Sequence, residues 1–538
     1  MKETMKEKWP DKLFPVASSL LGPEIWSRVL GNGSAEKMPA EILPEITAER
    51  IRALGISDFF CDLARVEGSL RALDLGGVQV PLRVDHLAVN PTLHLLKVSW
   101  RNLPAVLTAQ ADRLTSKKGE EFVLIWRDPQ TRETKVRTAS CEDLLALKIV
   151  AEKIEPERVA EDGKVPFGKI KSVLDRAIEG GILLRPPSRI RRDPMDFSSG
   201  KFTDSKYLSS PVFTLQWHIT QACDLHCKHC YDRSPRGRLG LDEGRAILDD
   251  LASFCRDRNV DGQVSFTGGN PLLYPYFSEL YREATEKGFT VAILGNPAPR
   301  EQMEELVSIQ RPSFFQVSLE GLPEHNDAVR GPGHFARVIE FLQVLRELAI
   351  YSMVMLTLTR DNLSQVLPLT EILRGKTDSF TFNRLSQVGE GTKLLLPAPA
   401  AYAAFLEDYR IAAETSPVLA LKDNLMNILH FRKGLEPFGG CTGFGCGAAF
   451  NFLTVLPDGE VHACRKLPSY LGNALDESLG KIYDSELARR YRAGPKACRA
   501  CPIRPACGGC LAVVHSHGLN VFEDRDPYCS LPSLLGPS

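Results

Sequence analysis

At 538 residues the chain is more than three times the length of an ordinary domain of about 150 residues, which excludes a single compact core. Hydrophobic residues make up 43% and charged residues 25%, which excludes a wholly disordered, collagenous or coiled-coil chain. Lys and Arg number 66 against 67 Asp and Glu, so the net charge of -1 gives no global pull toward nucleic acid or an anionic membrane.

The opening MKETMKEKWPDKLFP mixes both charge signs and lacks the apolar core of a signal peptide, and no later window offers about 18 consecutive apolar residues. A cytoplasmic protein without a membrane segment is expected. Residues 1–119 carry no motif that assigns a role. Residues 120–200 read as a small unit and its linker: a strand over Phe122 to Trp126, a turn at Asp128-Pro129 and a second strand over Thr134 to Thr138. Ser140 with Asp143 predicts a capping box opening a helix through Ile154, and Pro166 leads another helix closed by Gly180-Gly181. The order is strand, strand, helix, connector, helix, and the run Arg185 to Gly200 follows as a linker.

From Phe213 to Ser386 six apolar runs, FTLQWHIT, QVSFTG, TVAIL, FFQVSLE, YSMVMLTLT and SFTFNRL, alternate with helical stretches. Alternation predicts right-handed crossovers and a parallel sheet, an open doubly wound sheet or a partial barrel, with chemistry at the C-terminal strand ends. The tail from Gly439 has only short elements and needs cross-linking metals to hold a fold.

Fourteen cysteines are too few for a disulfide scaffold, and their distribution is uneven: only Cys61 and Cys141 precede residue 220, and eight follow residue 440. Thiolates are soft donors suited to iron-sulfur clusters or zinc. Cys223-x3-Cys227-x2-Cys230 follows the first strand of the alternating region, where three thiolates can hold a 4Fe-4S cubane with one iron open to a small molecule. The alternative is a zinc loop completed by His226 or His229.

This spacing on this strand resembles the radical S-adenosylmethionine enzymes, which implies a partial (β/α)6 barrel. It also implies an open iron that chelates the amino and carboxylate groups of S-adenosylmethionine, and reductive cleavage to a 5'-deoxyadenosyl radical. The same resemblance implies cofactor contacts at Gly268, Gly269, Asn270 and Pro271 on the second strand end, Ser318 and Glu320 on the fourth, and Arg330. Asn270 stands where the family usually has Glu, keeping a carbonyl acceptor and losing the charge.

The tail resembles the SPASM domain, which binds two auxiliary 4Fe-4S clusters. Carried over, Cys441, Cys446, Cys464 and Cys510 hold the first, and Cys498, Cys501, Cys507 and Cys529 the second, with Gly459 in the hairpin turn LPDGEVHAC. Two residues separate Cys507 from Cys510, where the common pattern has three. A zinc ribbon is the alternative; its two CxxC pairs usually stand farther apart. His515 and His517 read as structural. The implied architecture is a radical SAM barrel over 205–400 and a SPASM domain over 435–538, behind an N-terminal α+β region.

The unit at 120–200 resembles the winged-helix leader-recognition domains of peptide maturases, which take an extended peptide on a sheet edge. Its rival is a DNA-binding winged helix with Arg185, Arg189, Arg191 and Arg192 on phosphates. Together these resemblances imply an enzyme that modifies a ribosomally made precursor peptide, using three 4Fe-4S clusters and an external donor of flavodoxin or ferredoxin type. CTGFGCGAAFNF and the GGNP variant resemble maturases of selenium-associated peptide systems. The alternatives are oxidation of Ser or Cys in the manner of an anaerobic sulfatase maturase, and a cluster-sensing DNA regulator.

Overall fold

The structure, a computed structural model, describes residues 13–31, 43–75, 79–81, 83–107, 116–193, 196–197 and 207–531. Most of the opening mixed-charge stretch, and Pro194, Ser198, Ser199 and Gly200 of the expected linker, lie outside them. The chain forms two compact units, Met1–Pro187 and Ser188–Ser538.

In the first unit the helices Pro15–Leu21, Pro23–Leu30, Leu43–Ala53 and Asp58–Leu75 precede the short strand β1 (Ala88–Val89) and β2 (His94–Arg101). Then come β3 (Lys117–Arg127), β4 (Thr134–Thr138), three helices and β5 (Leu183–Leu184). β2, β3 and β4 form one antiparallel sheet, and β1 pairs with β5. The expected hairpin is β3–β4, and the division drawn at residue 119 falls inside β3. Leu13, Phe14, Trp26, Ile51 and Leu63 share one core with Val123 and Ile125, so the helices before the hairpin pack on one face of its sheet. Leu124 and Trp126, on the opposite face, pack with Ala146, Ile149, Leu174 and Ile182.

The capping box forms as expected: the Ser140 side chain accepts from Asp143 N, and the Asp143 carboxylate accepts from Ser140 N. That helix is Cys141–Ala151; it stops short of Ile154 as Lys153 turns to φ 54. The expected connector is itself a helix, Pro156–Gly163, with Pro156 in its first turn, where the missing N–H costs no bond. The next helix is Phe167–Glu179, and Gly181 beyond it takes φ 76.

The second unit is built on a nine-stranded sheet in the order β11-β10-β9-β8-β7-β6-β12-β13-β14. β6 (Val212–Thr220), β7 (Asp261–Gly268), β8 (Thr290–Leu294), β9 (Phe315–Ser318), β10 (Ser352–Leu358) and β11 (Ser379–Arg384) are the six expected strands. They run parallel in sequence order, each pair bridged by helices, which is the partial barrel. Their apolar runs are buried because helices cover the sheet: Phe213, Leu215, Trp217, Phe266, Val317 and Leu356 share one core.

β12 (Phe452–Val455), β13 (Glu460–His462) and β14 (Tyr470–Asn473) continue that sheet past β6. β12 pairs with β6 in parallel, Phe452 opposite Thr214, so the cysteine-rich tail is stitched to the first barrel strand by backbone bonds. β12 and β13 make the expected hairpin, with Gly459 at φ 85 in its turn. Arg192 is buried; it donates to Phe444 O and Cys446 O and lies between the Phe197 and Phe450 rings. That position withdraws it from the phosphate-binding role of the DNA-binding alternative. No described helix is long and apolar enough to cross a membrane.

Candidate active site and cluster sites

The loop carrying Cys223, Cys227 and Cys230 leaves the C-terminal end of β6 and is docked on the end of β7 by backbone bonds. Gly269 N donates to Thr220 O (2.8 Å) and Asn270 N to Ala222 O (2.7 Å). The approach is so close that a Cβ on Gly268 would meet Thr220 O at 2.4 Å, and one on Gly269 would meet Ala222 O at 2.2 Å. The glycine pair is therefore a docking surface for the cysteine loop.

Cys223, Cys227 and Cys230 line a cavity of about 290 Å3 at the C-terminal strand ends, together with Gly268, Gly269, Ser318 and Arg330. Asn270, Pro271 and Glu320 stand one layer behind that wall. Asn270 caps the turn after β7, accepting from Leu272 N, and its amide donates to Asp224 Oδ1 (3.0 Å). Asn296 donates to the same oxygen (2.7 Å) and lies 3.7 Å from the Cys223 sulfur.

Glu320 accepts two bonds from Arg330 (2.9 and 2.6 Å) and one from Thr357 N (2.8 Å), which aims the Arg330 guanidinium at the Cys227 sulfur 3.7 Å away. Burial alone would raise the Glu320 carboxyl, but His229 and Arg330 outweigh it and hold it below the ordinary range. Burial pushes His229 itself down to about 4, so at neutral pH Arg330 is the operative partner.

The tail thiols line two further cavities. Cys441, Cys446, Cys464 and Cys510 line one of about 120 Å3; Cys498, Cys501, Cys507 and Cys529 line another. Cys510 thus falls with the first set despite its shortened spacing from Cys507. Side-chain amides and carboxylates fix these loops: Asn424 Oδ1 accepts from Cys441 N (2.7 Å), and Asp526 from Cys510 N (2.9 Å). Cys446 N donates to Cys507 O (2.9 Å), which links the two sets. Asp526 and Asp423 are in turn held by the buried Arg384 at 2.6 and 2.8 Å.

Burial pushes Cys446 and Cys498 up to about 12, so both thiols stay protonated without a cation and are deprotonated by ligation. Among the described residues no three His, Cys, Asp or Glu side chains converge on a single-ion site. The eleven clustered thiols ring three spaces instead, which is how a multi-iron cluster is held. His226 and His229 face arginines, Arg233 at 2.7 Å and Arg330 at 3.3 Å. His517 bonds Val513 O at 3.0 Å.

The sequence reading did not reach Asp224, Asn296, Arg384, Arg465 and Lys466. Three of them carried a signal, by standing beside a clustered cysteine: Asp224 follows Cys223, and Arg465 and Lys466 follow Cys464. Burial, then Arg465, bring Lys466 down to about 8. Tyr231, next to Cys230, lies 2.8 Å from the buried His218.

Residues 217–371 match the family model of the Radical SAM superfamily, and residues 446–502 that of SPASM, an iron-sulfur cluster-binding domain. The parallel part of the sheet and its cysteine loop are therefore a radical SAM domain. The chain is a radical SAM enzyme with a C-terminal SPASM domain, and S-adenosylmethionine and iron-sulfur clusters are its cofactors.

Over 343 residues it is 27% identical to an AdoMet-dependent heme synthase of Methanosarcina barkeri, covering 59% of this chain and 95% of that protein. Over 348 residues it is 28% identical to the mycofactocin maturase MftC of Mycobacterium ulcerans, covering 60% and 88%. The crystal structure of Streptococcus suis SuiB bound to the precursor peptide SuiA superposes with a TM-score of 0.48 at 18% identity, covering 76% of this chain and 96% of that one.

Proposed function

We propose that the enzyme modifies a ribosomally synthesised precursor peptide, with three 4Fe-4S clusters: one on Cys223, Cys227 and Cys230, one on Cys441, Cys446, Cys464 and Cys510, and one on Cys498, Cys501, Cys507 and Cys529. The observation that carries it is the sorting of eleven thiols onto three cavity walls as three, four and four. Three thiolates leave one iron of a cubane open, and four close it. When bound, S-adenosylmethionine at the open iron supplies a 5'-deoxyadenosyl radical that abstracts hydrogen.

The protein's own part is positional. Gly268, Gly269, Ser318 and Arg330 line the cavity for the cofactor, and Glu320 fixes Arg330. The peptide reading draws support from the likeness to a maturase and from the first unit. Among the described residues β4 pairs only with β3, which leaves an edge where an extended leader can add. Electrons enter from a flavodoxin- or ferredoxin-type donor.

The test is incubation of the reconstituted enzyme with S-adenosylmethionine, dithionite and the short peptide encoded beside its gene. A peptide mass change coupled to deoxyadenosine is expected. Turnover of an iron porphyrin with no change in the peptide would overturn the peptide reading and leave the radical chemistry standing.

A further inference from the structure

We infer that Arg465 and Lys466 form a carboxylate-binding pair in the wall shared by the cofactor cavity and the first auxiliary cavity. Both residues, with Asn383 and Arg384, line both spaces. The neighbouring cations already have partners. Arg384 takes Asp423 and Asp526, Arg330 takes Glu320, and Arg236 takes Asp232 together with Asp458 and Glu460. Among the described residues neither Arg465 nor Lys466 has an ion pair.

The Arg465 guanidinium stands 3.4 Å from Thr267 Oγ1 and 6.0 Å from the centre of the Tyr231 ring, both residues of the cofactor cavity. A partly enclosed pair of cations is unfavourable until an anion is placed against it, and a guanidinium matches a carboxylate with two parallel N–H bonds. Cys441, Cys464 and Cys510 line the auxiliary side of the wall and as thiolates supply countercharge there, whereas on the cofactor side the described carboxylate, Asp232, is taken by Arg236 and none pairs with Arg465 or Lys466. Two carboxylates can reach that side: that of the methionine end of S-adenosylmethionine, or an Asp, Glu or terminal carboxylate on the substrate. The second source rests on the peptide reading above; the first does not.

The holoenzyme, without reductant, is dialysed against S-adenosylmethionine and against its decarboxylated analogue. In parallel, Lys466 acetylation is followed by mass spectrometry with N-acetylglutamate α-amide or N-acetylglutamine α-amide present. If the cofactor is the source, wild type prefers the carboxylated form by about tenfold or more, the scale of one charge-assisted pair, and Arg465→Gln loses the preference. If the substrate is the source, that preference survives Arg465→Gln, while the glutamate probe alone protects Lys466 in wild type and fails in the variant. Arg465→Lys should restore part of either effect. A wild type that treats each carboxylate and its neutral counterpart alike overturns the inference, even if Arg465→Gln does not fold. So does a variant that shifts only the auxiliary-cluster potential. Because no precursor is used, failure of the peptide reading leaves the cofactor arm readable.

Discussion

Two glycines and an asparagine divide the work at the end of β7. Gly268 and Gly269 let the cysteine loop approach to backbone contact, and Asn270 is turned away to cap the following turn and hold Asp224. Gly269→Ala should therefore act on the loop: its Cβ meets a carbonyl that cannot rotate away, at a cost of about 1–3 kcal/mol. Iron analysis should show about four fewer irons per chain, with the tail clusters retained. Full iron content with a normal melting temperature would refute the docking role. Arg384 poses a different problem, because it neutralises two buried carboxylates at once. Arg384→Met should cost about 3–5 kcal/mol in denaturant unfolding. Adding Asp423→Asn and Asp526→Asn to it should recover most of the loss, since the uncompensated charges are then gone.

At the scale of elements, the legible parts were those whose signal is local. The six barrel strands are apolar runs long enough to be buried on both faces, and the Ser140–Asp143 box sits in three residues of text. The helix Pro156–Gly163 was read as a connector because its eight residues, PERVAEDG, are too short and polar to show a helical apolar period, although Pro156 stands at a first-turn position. The pairing of β12 with β6 joins positions 238 residues apart at Phe452 and Thr214, and no local pattern encodes such a pairing. The resemblance to the radical SAM enzymes and the SPASM domain implied a three-four-four grouping, and these thiols line three cavities in those sets. The carboxylates and amides that hold those loops were illegible because single polar residues look alike until the fold brings them together.

One element carries a pH dependence. Glu67, buried in the first unit, accepts from Val16 N (2.5 Å) and Ala17 N (2.7 Å) at the start of the helix Pro15–Leu21. Burial pushes its carboxyl up to about 7 despite those bonds. A carboxyl raised on folding binds its proton more tightly in the folded state, so its contribution is full below the ordinary glutamate range and lost as pH rises to about 7. The first unit should lose up to about 3 kcal/mol across that window, at about 1.4 kcal/mol per unit. Hydrogen exchange at the Val16 and Ala17 amides should report it, and Glu67→Gln should flatten the profile.

Across the whole molecule, the three thiol sets are held by networks that differ in independence, and that difference is measurable. The first loop is tied to the barrel strand ends, through Gly269 N and Asn270 N at β7 and through the bonds from Lys228 N to Val329 O and from Glu390 N to Cys230 O, whereas the two tail sets share the bond from Cys446 N to Cys507 O and the Arg384–Asp526 pair. Wild type should reconstitute with about twelve irons, and Cys223→Ala/Cys227→Ala/Cys230→Ala with about eight, losing deoxyadenosine formation entirely. Within the tail, Cys441 is exposed while Cys446, Cys464 and Cys510 are more enclosed, so it is the ligand whose loss opens a cluster without collapsing its loop. Its N–H stays anchored on Asn424 whatever its side chain. Cys441→Ala should keep the first auxiliary cluster with one iron exposed. Its electron paramagnetic resonance signal should then shift on adding a small thiol, while the wild-type signal stays unchanged. A thiol-induced shift in wild type would mean that this cluster is open from the start and can hold a substrate sulfur directly, which would replace electron relay with thiolate activation as its role.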